Sequence, residues 1–134
     1  MRFKVLLSML IAVVVLCGPA MGVSAATLVS VSITPTTLTA PRSSAVTVVA
    51  SVTPASAGGV GFRGTVQWAM NGRGFASTPV IYDPITDTAT VTLTTRLPPV
   101  PGTAQLTGTF ISGSTQFTLP SWPNNMVTCV ITVT

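Results

Sequence analysis

The feature that most constrains this chain is a period of two. Serine and threonine make up roughly a third of residues 26–134, and they alternate with Val, Ile and Leu. Alternation of this kind places apolar side chains on one face of a strand and hydroxyls on the other. Val29, Val31 and Ile33 alternate with Ser30, Ser32 and Thr34. The same pattern puts Val46, Val48, Ala50 and Val52 on the inner face of a second strand, and Val66, Trp68 and Met70 on that of a third. A less regular strand is expected near Ala76 to Ile81. Ala89, Val91 and Leu93 form a fifth. Ala104, Leu106, Gly108 and Phe110 form a sixth, and Val127, Cys129, Ile131 and Val133 a seventh. No stretch of residues 26–134 carries helical periodicity.

The segments between these runs are rich in chain breakers. Thr34-Pro35 closes the first strand, and "TPASAGGVG" at 53–61 is a glycine-rich loop. Asn71-Gly72 predicts a two-residue hairpin, because both central positions of a type I′ turn need positive φ. "YDPITD" at 82–87 reads as a turn, and "LPSWPNN" at 119–125 as a proline-bracketed loop. "RLPPVPG" at 96–102 is excluded from any central strand, since proline donates no ladder hydrogen bond. About seven short strands at this spacing in roughly 100 residues predict an all-β fold, a β-sandwich of antiparallel strands in two sheets.

The first 25 residues read differently. Arg2 and Lys4 precede an apolar run from Val5 to Cys17, and Val23-Ser24-Ala25 supplies small residues for cleavage before Ala26. This is the pattern of a cleaved signal peptide, with an apolar run short for a bilayer span. Leu16 before Cys17 argues against a lipoprotein site. The expected exported chain is one domain, residues 26–134, whose contact with a membrane is limited to its signal peptide. It holds four arginines (Arg42, Arg63, Arg73, Arg96), two aspartates (Asp83, Asp87), and no Lys, Glu or His. Four scattered arginines form no basic stripe, which argues against a nucleic-acid partner. Cys129 has no second cysteine within residues 26–134 and reads as a small buried apolar residue.

The motifs in their order resemble those of the bacterial Ig-like domain repeats of secreted and surface proteins. The resemblance rests on "VTVVASVTP" at 46–54, "GTVQW" at 64–68 and "TATVTLTT" at 88–95. It continues through "LPPVPGTAQLTGTFISGSTQF" at 97–117 and closes on "VTCVITVT" at 127–134. Phe110 stands where the family usually has tyrosine, and the loop after Phe117 is longer. The resemblance implies an Ig-like β-sandwich acting in adhesion or binding outside the cell or at its surface. It also places Trp68 in the core, since antibody-type domains bury a tryptophan on the corresponding strand. Val48, Val66, Leu93, Leu106, Phe110 and Ile131 are expected around it.

Signs of catalysis are sparse. Nucleophilic serine or cysteine needs an adjacent base, and residues 26–134 hold no His, Lys or Glu to serve as one. Asp83 and Asp87 flank one tight turn, where Asp is favoured for hydrogen bonds to nearby backbone. Two carboxylates fall short of the six to eight oxygens that calcium takes. No zinc cluster or phosphate loop appears, and no cofactor is expected.

If the strands alternate in direction, the loop at 55–64, the turn at 82–87 and the loop at 112–125 share one end. That end would present Phe62, Arg63, Tyr82, Asp83, Asp87, Trp122, Asn124 and Asn125, and Trp, Tyr and Arg are enriched at binding hot spots. For Trp122 two placements are open: exposed in its proline-flanked loop, or folded back to plug the open end of the core, the second slightly favoured. Two functions are therefore expected ahead of an enzyme. One is binding of a protein or glycan through this end. The other is self-association through edge strands, which carry few charges to keep them apart. The sequence has no cell-wall sorting motif, so retention on a surface would need another protein.

Overall fold

The computed structural model describes residues 25–134. The expected signal peptide, all but Ala25, lies outside the described residues. Thirteen strands follow one another: β1 (Thr27–Leu28), β2 (Ser30–Thr34), β3 (Thr37–Ala40), β4 (Ala45–Thr53), β5 (Ser56–Ala57), β6 (Val60–Gly61), β7 (Gly64–Met70), β8 (Arg73–Pro79), β9 (Ile81–Asp83), β10 (Thr88–Arg96), β11 (Gly102–Ser112), β12 (Phe117–Thr118) and β13 (Met126–Val133). Two sheets dominate. One is four-stranded, in the order β2-β4-β10-β9, and the other five-stranded, in the order β3-β13-β11-β7-β8. The short pairs β1-β12 and β5-β6 form two small ribbons.

Both large sheets feed one hydrophobic core. Val48, Ala50, Val91 and Leu93 enter it from the four-stranded sheet. Val66, Trp68, Leu106, Phe110, Cys129 and Ile131 enter from the five-stranded one. The molecule is all-β and consistent with a β-sandwich. Hydroxyls on the outer faces pair across strands: Thr47 Oγ1 lies 2.9 Å from Thr94 Oγ1, and Ser32 Oγ 2.9 Å from Ser51 Oγ. Such pairs stabilise neighbouring strands, which gives the alternating threonines a role beyond solubility.

Trp68 sits on β7, between β11 and the edge strand β8 of the five-stranded sheet, opposite Gly108 in the β7–β11 register. Its ring is 1 % exposed, and Nε1 donates to Thr78 Oγ1 at 2.8 Å. A Cβ on Gly108 would stand 2.8 Å from the Trp68 ring and 2.9 Å from Val66 Cγ1. Glycine at that position is what leaves room for the indole against β11.

Two sequence expectations need correction. Pairing is not uniformly antiparallel, because β3 runs parallel to β13 and β1 parallel to β12. A single strand from Ala76 to Ile81 is replaced by two strands in different sheets. β8 closes the five-stranded sheet, β9 closes the four-stranded one, and buried Val80 crosses between them with its N–H on Gly64 O at 2.9 Å. The first strand ends at Thr34 as expected, and the chain resumes pairing after Pro35. It continues as β3, so that β2 and β3 also belong to different sheets. Both lateral sides of the core are thus bridged by continuous chain. The Asn71-Gly72 turn forms as expected, with φ of 52° and 82° and Met70 paired to Arg73.

Candidate functional site

The three loop segments meet at one end of the molecule. β4 and β10 pair from Thr88's neighbour Ala89 opposite Val52, which sets the 84–87 turn beside the segment leaving β4. Ser112 pairs with Gly64, which sets the 113–125 loop beside the segment entering β7.

The 54–63 segment folds as a small hairpin, β5–β6, turned by Gly58 and Gly59 at φ 59° and 80°. It is fastened at its base by Phe62 N–H on Ala55 O at 2.8 Å. Its side contact is to the 82–87 turn. Ser56 Oγ donates to Asp87 Oδ1 at 2.7 Å, and Tyr82 OH donates to the same oxygen at 2.9 Å. The Tyr82 ring lies against Gly61, where any Cβ would collide with it. Asp83 Oδ1 accepts the N–H of Ile85 at 2.9 Å, the aspartate turn bond expected from its position. Asp87 instead accepts two side-chain hydroxyls, and these, Ser56 first, hold its carboxyl below the usual carboxylate range. Asp87 also adopts φ 51°, a conformation that Asp and Asn tolerate better than most residues.

The third segment is tied down at both ends. β12 pairs with β1, and Phe110 N–H donates to Asn125 O at 2.9 Å. Asn125 Nδ2 reaches Phe110 O at 3.2 Å, while its buried Oδ1 has no protein partner. Between these anchors, Asn124 N–H donates to Ser121 O at 2.8 Å, closing a turn around Trp122 and Pro123. Trp122 projects from this turn, 72 % exposed.

The expected site residues therefore divide. Trp122, Asn124, Arg63, Asp83 and Asp87 are exposed, and Tyr82 is half-buried. Phe62 is corrected from surface to core: it is 1 % exposed and packs edge-on against Phe117, centroids 5.4 Å apart. Asn125 is corrected to a half-buried anchor of the loop. Two residues went unnoticed in the sequence. Ser56 joins the hairpin to Asp87, for which the sequence has no signal. Ile85, 93 % exposed at the tip of the turn, could have been found as an isoleucine centred in "DPITD".

Taken together, this end presents an indole, an isoleucine and two carboxylates on loops braced by short hydrogen bonds. Among the described residues no cluster of three or more His, Cys, Asp or Glu stands ready to hold a metal. No helix among them is long and apolar enough to cross a membrane. No family model matches the chain, and comparison with curated proteins returns no match.

Proposed function

We propose that this protein is a secreted, non-enzymatic Ig-like module that binds a protein or glycan through the loop end, outside the cell or at its surface. The observation that carries the reading is the division between its two tryptophans. Trp68 is sealed between the sheets, whereas Trp122 stands 72 % exposed on an anchored, proline-flanked turn. Solvation of so large an apolar ring is unfavourable, and tryptophan is the residue type most often found at the centre of binding hot spots. The Ig-like assignment draws on the two-sheet core, the buried tryptophan on β7 and the order of the motifs from 46 to 134. Export draws on the pattern of the first 25 residues.

The non-enzymatic reading draws on the absence of His, Lys and Glu from 26–134. Of the two carboxylates at this end, Asp83 is engaged in a turn bond and Asp87 accepts the hydroxyls of Ser56 and Tyr82. Self-assembly by edge pairing is the weaker alternative. Edge strands β2, β3 and β9 hold five, four and three residues. The longest edge, β8, ends at Pro79 and faces a register irregularity at Trp68/Ala69. Short edges, bulges and proline are devices that discourage pairing between molecules.

Glycan and protein arrays probed with the wild-type protein and with Trp122→Ala test the proposal. Binding that Trp122→Ala abolishes at unchanged thermal stability is the expected outcome. Binding that survives both Trp122→Ala and Ile85→Ser would contradict it.

A further inference from the structure

The end opposite the loops has a different chemistry. It gathers the Asn71-Gly72 turn, the 41–44 loop and the 97–102 loop. Ser43 N–H donates to Pro98 O at 3.1 Å, and Asn71 N–H to Gln105 O at 2.8 Å. A cleft of about 490 Å³ opens here, between the hairpin and the end of β10. Met70, Phe75, Leu97 and Pro98 supply apolar walls, and Arg73 and Arg96 stand at its sides. Clefts of roughly 300–1,000 Å³ take small ligands or single large side chains. Arg96 is aimed by its Nη1 hydrogen bond to Ser43 O at 2.6 Å, and the Phe75 ring is exposed.

The side-chain charges are segregated along the molecule. Arg42, Arg73 and Arg96 lie at the cleft end. Asp83 and Asp87 lie at the loop end, with Arg63. The loop end offers an exposed indole on the 113–125 loop and two carboxylates at the 82–87 turn, and the cleft end offers an apolar hollow lined also by two arginines. These are complementary in both polarity and charge, and they belong to the same chain.

We propose that the occupant of the cleft is the loop end of a second copy of this protein. Trp122 of one molecule enters the hollow formed by Met70, Phe75, Leu97 and Pro98 of the next. Asp83 and Asp87 then approach Arg73 and Arg96. The inference rests on the loop-end reading above and names its partner. Guanidinium groups beside an indole add a cation–π attraction. The contact is heterologous, joining unlike surfaces, so each copy keeps one free cleft and one free tryptophan. Assemblies of this kind grow as open chains unless the rotation between copies closes a ring. A small anion would fill only the polar part of the cleft and leave its apolar walls wet.

Sedimentation velocity of the purified protein across a concentration and salt series tests the proposal, with Trp122→Ala and a double variant, Arg73→Glu with Arg96→Glu. The wild type is expected to gain mass with concentration and to lose it as salt rises, since salt screens the charged rim. Each variant alone is expected to associate about thirtyfold more weakly, the scale of a hot-spot truncation. An equimolar mixture of the two variants is expected to form a dimer and nothing larger. The intact cleft of Trp122→Ala receives the intact tryptophan of the arginine variant, and no second contact remains. Circular dichroism confirms that both variants are folded. A wild type that stays monomeric, variants that associate as the wild type does, or a mixture that stays monomeric would each overturn the proposal. Array binding that Trp122→Ala abolishes, alongside a monomeric wild type, would remove the second copy as partner and keep the binding surface.

Discussion

Trp68 and Gly108 are two halves of one packing decision. The indole needs room, and glycine opposite it on β11 leaves that room. Truncating Trp68 to alanine leaves a cavity between the sheets and an unpaired Thr78 hydroxyl, and is expected to cost about 3–5 kcal/mol. Gly108→Ala drives a methyl into the ring and Val66, and overpacking of this kind is expected to cost about 1–3 kcal/mol. Urea denaturation measures both, and a midpoint unmoved by either substitution would contradict this packing. Cys129 is sealed in the same core, and burial raises the pKa of its thiol. It is expected to resist aqueous thiol reagents until the protein unfolds. The neutral thiol also sets a sign. Its contribution to stability is complete below the unfolded-state pKa, about 8.5, and declines as pH rises from there through the higher folded value.

Asp87 works in the opposite direction. Its folded pKa is lowered by the hydroxyls of Ser56 and Tyr82. Its contribution is present above the unfolded value, about 3.9, and is lost as pH falls through the lower folded value. Asp87→Asn tolerates the positive φ but removes the titration, so the acid limb of the stability curve is expected to flatten. Denaturant midpoints between pH 2 and 6 would show it.

At the scale of elements, the sequence announces strands better than it announces which sheet they join. Period two placed Val48, Ala50, Val66, Leu93, Leu106 and Ile131 in the core, because alternation and burial are the same fact seen twice. The switch at Val80 left no trace, since Ala76 to Ile81 is extended throughout and only tertiary hydrogen bonds divide it. β3 was hidden for a related reason. It follows Pro35 closely, spans four residues, and is held by parallel pairing with a strand some ninety positions later in the chain. Phe62 was misread because a phenylalanine in a glycine-rich loop looks exposed until Phe117 arrives from a distant segment. The Asn71-Gly72 turn, by contrast, is local chemistry and was legible. Gly72 stands at φ 82°, so Gly72→Ala is expected to cost about 1–2 kcal/mol, the penalty for a left-handed alanine. A thermal midpoint unchanged by that substitution would contradict the turn geometry.

The whole molecule is a two-sheet body with unlike ends. Chain crossings at 35–36 and at Val80 bridge its sides, and the sheet edges they leave are short. The two ends differ in what they display. One displays Trp122 on one loop and Ile85 with two carboxylates on another, and the other displays an apolar cleft lined also by two arginines. The sequence pointed to the first end through "LPSWPNN" and "YDPITD". It was silent on the second, because Met70, Phe75, Arg96 and Leu97 converge only after β7, β8 and β10 have packed.

The central claim is that the two tryptophans are divided between core and contact surface. Acrylamide quenching of tryptophan emission, compared between the wild-type protein and Trp122→Phe, tests it most directly. At concentrations dilute enough to keep the protein monomeric, the wild type is expected to show a readily quenched, red-shifted component that disappears in the variant, leaving a blue-shifted, protected signal from Trp68. An accessible component that persists undiminished in Trp122→Phe would contradict the account, because the exposed indole would then be the one assigned to the core.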